Sequence, residues 1–260
     1  MTIRDIISAI EDIAPLSLQE GYDNCGLQVG CADAEATGAL LCVDATEEIV
    51  DEAIAKGRNL IISHHPLLFS GLKHITGSSE TEAIVVKAIK HDIAIYSSHT
   101  CMDNAHGGVS WKMAQKLGLD NARTLDARPD SPTEGGGVIG ELRQAMPAED
   151  FLRLAKATFG LEAVLYSGSL SGTVKTVAMC GGSGSFLIAK AKAAGADAYL
   201  TGDIKYHDLQ ANRHFLIADI GHFESEQFTK EIFFEAIRKK MPTFAVDFAI
   251  SDINRVKWIL

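Results

Sequence analysis

Short apolar runs alternate with amphipathic stretches along this chain, and the alternation occurs twice. Residues 39–43, 59–63 and 93–97 read as strands around helical patterns at 47–56 and 80–90. The scheme returns as strands 174–180, 198–201 and 215–220 around helices 185–194 and 205–213. Parallel strands need crossover connections of helix length, so this order predicts an α/β fold with largely parallel sheets. Laying LLCVDATEEIVDEAIAKGRNLIISHHP over VAMCGGSGSFLIAKAKAAGADAYLTGDIKYHD brings strand, turn, helix, glycine and strand into nearly the same register. IAIYSSHTCMD and FLIADIGHFES extend the correspondence, each placing a histidine just after a strand, at His99 and His222. The expected architecture is therefore two similar α/β halves, residues 1–127 and 138–260, with no inserted domain. Residues 128–137, Arg128-Pro129-Asp130-Ser131-Pro132-Thr133-Glu134-Gly135-Gly136-Gly137, are dense in turn formers and read as the linker.

In open α/β sheets ligands bind beyond the carboxyl ends of the strands, where helix N-termini converge and loops vary without disturbing the core. A site is expected there, between the halves. Ser63-His64-His65-Pro66 ends a strand with two adjacent imidazoles. On a strand they would face opposite sides, but past its end both can turn inward and serve one ion each. Neutral imidazole suits zinc, iron, nickel or manganese; a pair of hydrogen-bonded core histidines is the plainer alternative. Asp103, before the Gly107-Gly108 helix start, has two oxygens that can join two cations, or it is a helix cap. His222 and Glu226 are four apart and share a helix face, with Glu224 pointing elsewhere. A lone pair of this kind is weak evidence, because the helix dipole favours Glu in a first turn. What raises it is that His64, His65, Asp103, His222 and Glu226 all lie just beyond strand ends.

Several neighbours could contribute. His99, four residues before Asp103, could orient a ligand or shuttle a proton, or it could simply fix its loop. Thr201-Gly202-Asp203 with His207 reads as substrate contacts or groups that hold the ligands in place, or else as a capped turn with Asp203 at the helix start. Cys180-Gly181-Gly182-Ser183-Gly184-Ser185 is a weak anion cradle and an equally good tight turn, since it lacks the Gly-x-x-x-x-Gly-Lys pattern. Asp23-Asn24-Cys25-Gly26-Leu27-Gln28-Val29-Gly30 joins turn formers to a short strand, and its chemistry is not readable from composition.

Charge narrows the partners. Lys and Arg number 24 against 34 Asp and Glu, a formal charge of −10, and no basic run offsets it, which disfavours nucleic acid and membrane surfaces. A small anionic substrate remains open because bound cations reverse the local potential. The N-terminal MTIRDIISAIEDIAP reads as an amphipathic helix rather than a secretion signal, and no apolar run reaches the roughly 18 residues of a membrane span. Five scattered cysteines without a C-x-x-C pair argue against a disulfide framework or zinc ribbon and point to a reducing cytoplasm.

Taken in order, Asp23 to Gly30, Ser63-His64-His65-Pro66, His99-Thr100 with Asp103 and Gly107-Gly108-Val109, Thr201-Gly202-Asp203 with His207, and Gly221-His222 with Ser225-Glu226 form a specific set. With them the chain closely resembles, over nearly its whole length, the NGG-interacting-factor-3-like family of dinuclear-metal-centre proteins, also labelled type 2 GTP cyclohydrolase I. Cys101-Met102 and His106 depart from the residues usual around the family's Asp segment. The resemblance implies His64, His65, Asp103, His222 and Glu226 as ligands of two divalent ions per subunit, whether zinc, iron, manganese, nickel or cobalt. It also implies a homohexamer built as a trimer of dimers. The expected function is metal-dependent hydrolysis of a nucleotide-like substrate, by opening the imidazole ring of a GTP-like molecule with loss of formate. In such a centre two ions, roughly 3.5 to 4 Å apart, lower the pKa of a shared water toward neutrality. The alternatives are a nucleotide phosphoesterase, because paired metals also clamp the oxygens of phosphoryl displacement, and a non-enzymatic metal-binding or assembly protein.

Overall fold

In chain order the elements are α1 (Ile3–Glu11), β1 (Gly26–Val29), β2 (Ala39–Cys42), α2 (Glu47–Lys56), β3 (Leu60–Ser63), α3 (Glu80–Lys90), β4 (Ala94–Ser97), α4 (Thr100–Asn104), α5 (Val109–Leu117), β5 (Asp120–Arg128), β6 (Ser131–Pro147), α6 (Ala148–Phe159), β7 (Leu165–Ser167), β8 (Thr173–Ser183), α7 (Ile188–Ala193), β9 (Ala198–Gly202), α8 (Tyr206–Ala211), β10 (Leu216–Asp219), α9 (His222–Glu226), α10 (Thr229–Lys240) and β11 (Val246–Phe248). The structure is a computed structural model that describes residues 1–211 and 214–259. It divides into two units: Met1–Met102 with Thr229–Ile253, and Asp103–Phe228 with the C-terminal stretch from Asn254.

The first unit carries a sheet in the order β1-β4-β3-β2-β11, parallel except for β1. All four residues of β2, β3 and β4 are buried, as expected of parallel strands covered on both faces. Leu40, Cys42, Ile61 and Ile95 pack with Ile49, Val50 and Ala53 of α2 and Ile84, Val85 and Ala88 of α3. On the other face α10 lies against β2 and against α1. Each fully buried Leu or Ile contributes about 1.5–3 kcal/mol. Helix α2 starts where the Thr46 side chain accepts the Ile49 amide and stops at Gly57, whose left-handed φ of 63° closes its C-terminus.

The second unit carries the order β5-β6-β8-β9-β10-β7. Strands β8, β9 and β10 are parallel, and β5, β6 and β7 pair antiparallel at the flanks. The repeat read from the sequence is present as topology: β2-α2-β3-α3-β4 in one unit matches β8-α7-β9-α8-β10 in the other, each with an antiparallel strand beside its last member. The helix expected at 205–213 is seen as α8 up to Ala211; Asn212 and Arg213 lie outside the described residues.

The expected boundary at 128–137 is corrected. Those residues form the turn and second strand of a β5–β6 hairpin within the second unit, with Arg128 paired to Ser131 and Asp126 to Gly136. The chain instead changes units within α4, returns near Thr229, and leaves again at Asn254. The glycines that look like linker residues serve close packing. At Gly135, with φ 135°, a Cβ would come within 2.1 Å of the Asp126 carbonyl oxygen.

Candidate metal centre

In the first unit, the parallel ladder carries one residue pair past the strand ends. The His64 amide donates to the Cys42 carbonyl and the His65 amide to the Val43 carbonyl, at 3.2 and 2.9 Å. Ser63 Oγ, 2.8 Å from Ser97 Oγ, donates to the His65 carbonyl and fixes the turn that swings both imidazoles to one side. The rings of His64, His65 and His99 then lie 5.0 to 5.4 Å apart, centre to centre. One ligand atom from each falls within 4.8 Å of the others.

Each ring is held at Nδ1. His64 Nδ1–H donates to the Ser98 carbonyl at 3.0 Å, His65 to Asp44 Oδ1 at 2.7 Å, and His99 to Asp23 Oδ1 at 2.9 Å. A proton fixed on Nδ1 leaves Nε2 as the nitrogen with a lone pair, the arrangement in which metal-bound histidines are oriented by an outer acceptor. Asp23 is the most heavily used of these acceptors. It exposes no side-chain surface and also accepts from the amides of Asn24 and Thr100 and from the Thr100 hydroxyl. Burial alone would raise its carboxyl, but the hydrogen bonds from His99, Thr100 and Asn24 outweigh it and hold the group well below the usual carboxylate range.

In the second unit, α9 places His222 and Glu226 one turn apart, with His222 Nε2 3.1 Å from Glu226 Oε2. His222 Nδ1–H donates to Asp203 Oδ2 at 2.7 Å, repeating the arrangement of the other unit. Asp203 sits at a left-handed φ of 52°, a conformation short polar side chains tolerate and one that clusters at functional sites. With Nδ1 protonated, an Nε2 lone pair and a buried carboxylate oxygen at this distance need positive charge between them, either a second ring proton or a metal ion. The donor set therefore fits a divalent cation. Strand β8 comes close enough to complete this face only because Gly182 has no side chain. At its φ of 60° a Cβ would lie 2.2 Å from Glu226 Oε1 and 3.3 Å from His222 Nε2. The Gly182 amide donates to Ser225 Oγ, which donates to the His222 carbonyl. Burial pushes the neighbouring Cys180 thiol up to about 12, and the charges of Asp103 and Glu226 add to the rise; one carboxylate oxygen of Asp103 lies within 4.8 Å of one of Glu226.

The structure thus gathers His64, His65 and His99 in one unit, and Asp103, His222 and Glu226 in the other. Asp103 is not the cap of α5, whose N-cap is Gly108 with no side-chain bond. Glu224 turns away from His222 and accepts from Asn254 Nδ2 at 2.7 Å. The Cys180 to Ser183 segment is the irregular end of β8 rather than a turn or an anion loop. His207 packs against the Tyr206 ring. Sequence reading missed Asp44 and Asp23 as imidazole anchors. The signal for Asp44 was its place just beyond β2, the edge already singled out.

No described helix is long and apolar enough to cross a membrane. The sequence matches the family Duf34/NIF3 (NGG1p interacting factor 3) over residues 1–256. A Clostridium perfringens protein named GTP cyclohydrolase 1 type 2 homolog is 39% identical over 228 residues, covering 87% of this chain and 87% of its own. A Lactococcus lactis protein of the same name is 33% identical, covering 94% and 93%. The fold matches a solved Staphylococcus aureus protein with a TM-score of 0.91 at 28% identity, across 100% of this chain and 99% of that one. A Bacillus cereus protein related to NIF3 matches with a TM-score of 0.91 at 26% identity over the same shares. With a match of that extent, the chain belongs to the Duf34/NIF3 family.

Proposed function

We propose that His64, His65, Asp103, His222 and Glu226 together hold two divalent metal ions per subunit, and that the centre hydrolyses a nucleotide-like substrate. The observation that carries the reading is the anchoring of His64, His65 and His222 at Nδ1 by Ser98, Asp44 and Asp203, which presents three Nε2 atoms as donors. Borderline-soft nitrogens joined to carboxylates suit zinc, iron, manganese, nickel or cobalt alike. Bound ions of this kind supply Lewis acidity, which lowers the pKa of water and draws charge from the reacting centre. His99 is the residue proposed to move protons. Its Nδ1–H is fixed on Asp23, so Nε2 can accept a proton, and the ionised Asp23 carboxylate stabilises the imidazolium that results.

The relatives' names include GTP cyclohydrolase, and the substrate class proposed is a purine nucleoside triphosphate whose imidazole ring is opened with loss of formate. Subunits are proposed to assemble as a homohexamer. The test begins with elemental analysis of tag-free protein. The expected result is about two transition-metal equivalents per subunit, reduced in Asp103→Ala, with formate released from GTP by the wild type and none by His65→Ala. Release of phosphate or GMP instead would make the protein a phosphoesterase. Absence of metal even after reconstitution would return the histidines to a structural role.

A further inference from the structure

Residues 64–79 join β3 to α3, so the chain that supplies His64 and His65 runs directly on into this loop. The loop is tied down near both ends. Leu68 is gripped at both backbone groups: its amide donates to Gln28 Oε1 at 2.7 Å and its carbonyl accepts Asn24 Nδ2 at 2.6 Å, while Gln28 Nε2 donates to the Asn24 carbonyl. Farther on, the Glu82 carboxylate accepts the amides of Thr76 and Ser78 at 2.9 and 3.1 Å. Leu67, Leu68 and Leu72 pack, partly buried, against the core under α2 and α3. Asn24 and Gln28 belong to the Asp23 to Gly30 stretch, whose chemistry composition does not disclose. Asp23 of the same stretch anchors His99, so one stretch positions both an imidazole of the site and the loop beside it.

Phe69, next to the gripped Leu68, departs from its apolar neighbours. Its side chain is 52% exposed, forgoing burial that Leu67, Leu68 and Leu72 obtain in part. Its ring centre lies 6.4 Å from that of His99 with the planes 73° apart, the range of edge-to-face aromatic pairs. Such a contact engages at most one face of the Phe69 ring and leaves at least one face clear of His99. A ring without polar atoms offers a ligand only that π face, which suits a planar nucleobase. We propose that Phe69 is the platform on which the purine base of the substrate stacks, beside His99. The proposal rests on the reading of the centre as one that acts on a nucleotide-like substrate, and it assigns base recognition to a residue outside the metal ligands. Stacking accepts any base with a π surface, so Phe69 holds the ring in place and does not read its polar edge.

The test compares two ligands: 7-deaza-GTP, whose five-membered ring cannot be opened with loss of formate, and inorganic triphosphate, which has no base. Equilibrium binding of each is measured for wild type, Phe69→Leu and Phe69→Tyr, with metal content and melting temperature determined on the same reconstituted samples. Leucine keeps apolar bulk without a π face, and tyrosine keeps the face. Phe69→Leu is expected to raise the Kd for 7-deaza-GTP about 5- to 150-fold, the value of one base–aromatic stack. Phe69→Tyr should stay near wild type, and triphosphate affinity, metal content and melting temperature should be the same in all three. An unchanged nucleotide Kd in Phe69→Leu, an equal loss for both ligands, or no nucleotide binding by wild type would overturn the proposal. Metal content keeps the two failures apart: wild type that holds no metal fails the centre, whereas metal-loaded protein indifferent to Phe69→Leu fails the stacking alone.

Discussion

Asp44 and Asp203 orient His65 and His222, two imidazoles that are only partly buried, and neither carboxylate has to touch an ion to matter. Each hydrogen bond is 2.7 Å long. Asn in either place can present its amide nitrogen to Nδ1, and a ring that then carries its proton on Nε2 loses the lone pair a metal needs. Asp44→Asn and Asp203→Asn are each expected to weaken metal binding about 10–100-fold while leaving thermal stability nearly unchanged, as read by metal titration and melting of the metal-stripped protein. An equal loss of stability without loss of metal affinity would assign these carboxylates to the fold. Gly182 makes a different prediction, because its role is steric. An alanine Cβ at 2.2 Å from Glu226 Oε1 must move the carboxylate, and its positive φ adds strain of about 1–3 kcal/mol. Gly182→Ala should therefore lose metal and stability together. Equal metal content in that variant would mean that Glu226 is not a ligand.

At the scale of elements, Glu52 shows how a helix is tied to the sheet it covers. Its carboxylate, with the side chain 10% exposed, accepts the amides of Ile250 and Ser251 at 3.0 and 2.9 Å and pairs with Lys56 at 2.8 Å. Burial opposes ionisation here, but the bonds from Lys56, Ile250 and Ser251 outweigh it and bring the pKa down to about 2. A carboxyl depressed in the folded state stabilises above its unfolded pKa of about 4.3 and loses that contribution as pH falls through the folded value. Wild type should exceed Glu52→Gln by about 1–2 kcal/mol near pH 7, an amount discounted for solvent screening, and the gap should close between about pH 5 and pH 2 in denaturant titrations. A gap that persists at pH 2 would assign the effect to packing. The elements themselves were the legible part of the sequence. Helix α2 runs over the expected 47–56 because Thr46 and Gly57 mark its ends, and α3 over 80–90 because Ser79 accepts the Glu82 amide. The irregular end of β8 was not legible: glycines at 181, 182 and 184 read as a turn, while their use is close approach to α9 and β9. Composition carries no record of which atoms come near.

For the whole molecule, the repeat made both the topology and the strand-end location of the candidate ligands legible, since His99 and His222 follow matching strands β4 and β10. It hid the division of the chain. A repeat suggests two consecutive halves, whereas the first unit needs residues from both ends of the sequence. Strand β11 pairs with β2 through Val246 and Ala39, α10 covers the face of β2, and the buried Asp252 carboxylate accepts the Val43 amide and the Lys230 ammonium. Nothing local announces such pairing over some two hundred residues; only the apolar face left on β2 calls for a cover. The two readings predict opposite outcomes for a chain divided at 128–137. Consecutive halves would fold alone. In the interleaved arrangement residues 1–127 lack β11 and α10, which leaves β2 as an apolar edge open to aggregation, while residues 138–260 lack β5 and α5. Neither fragment is expected to give dispersed amide resonances or a cooperative melt alone. A cooperative transition from fragment 1–127 by itself would show that the C-terminal return is an accessory to the first unit rather than part of its core.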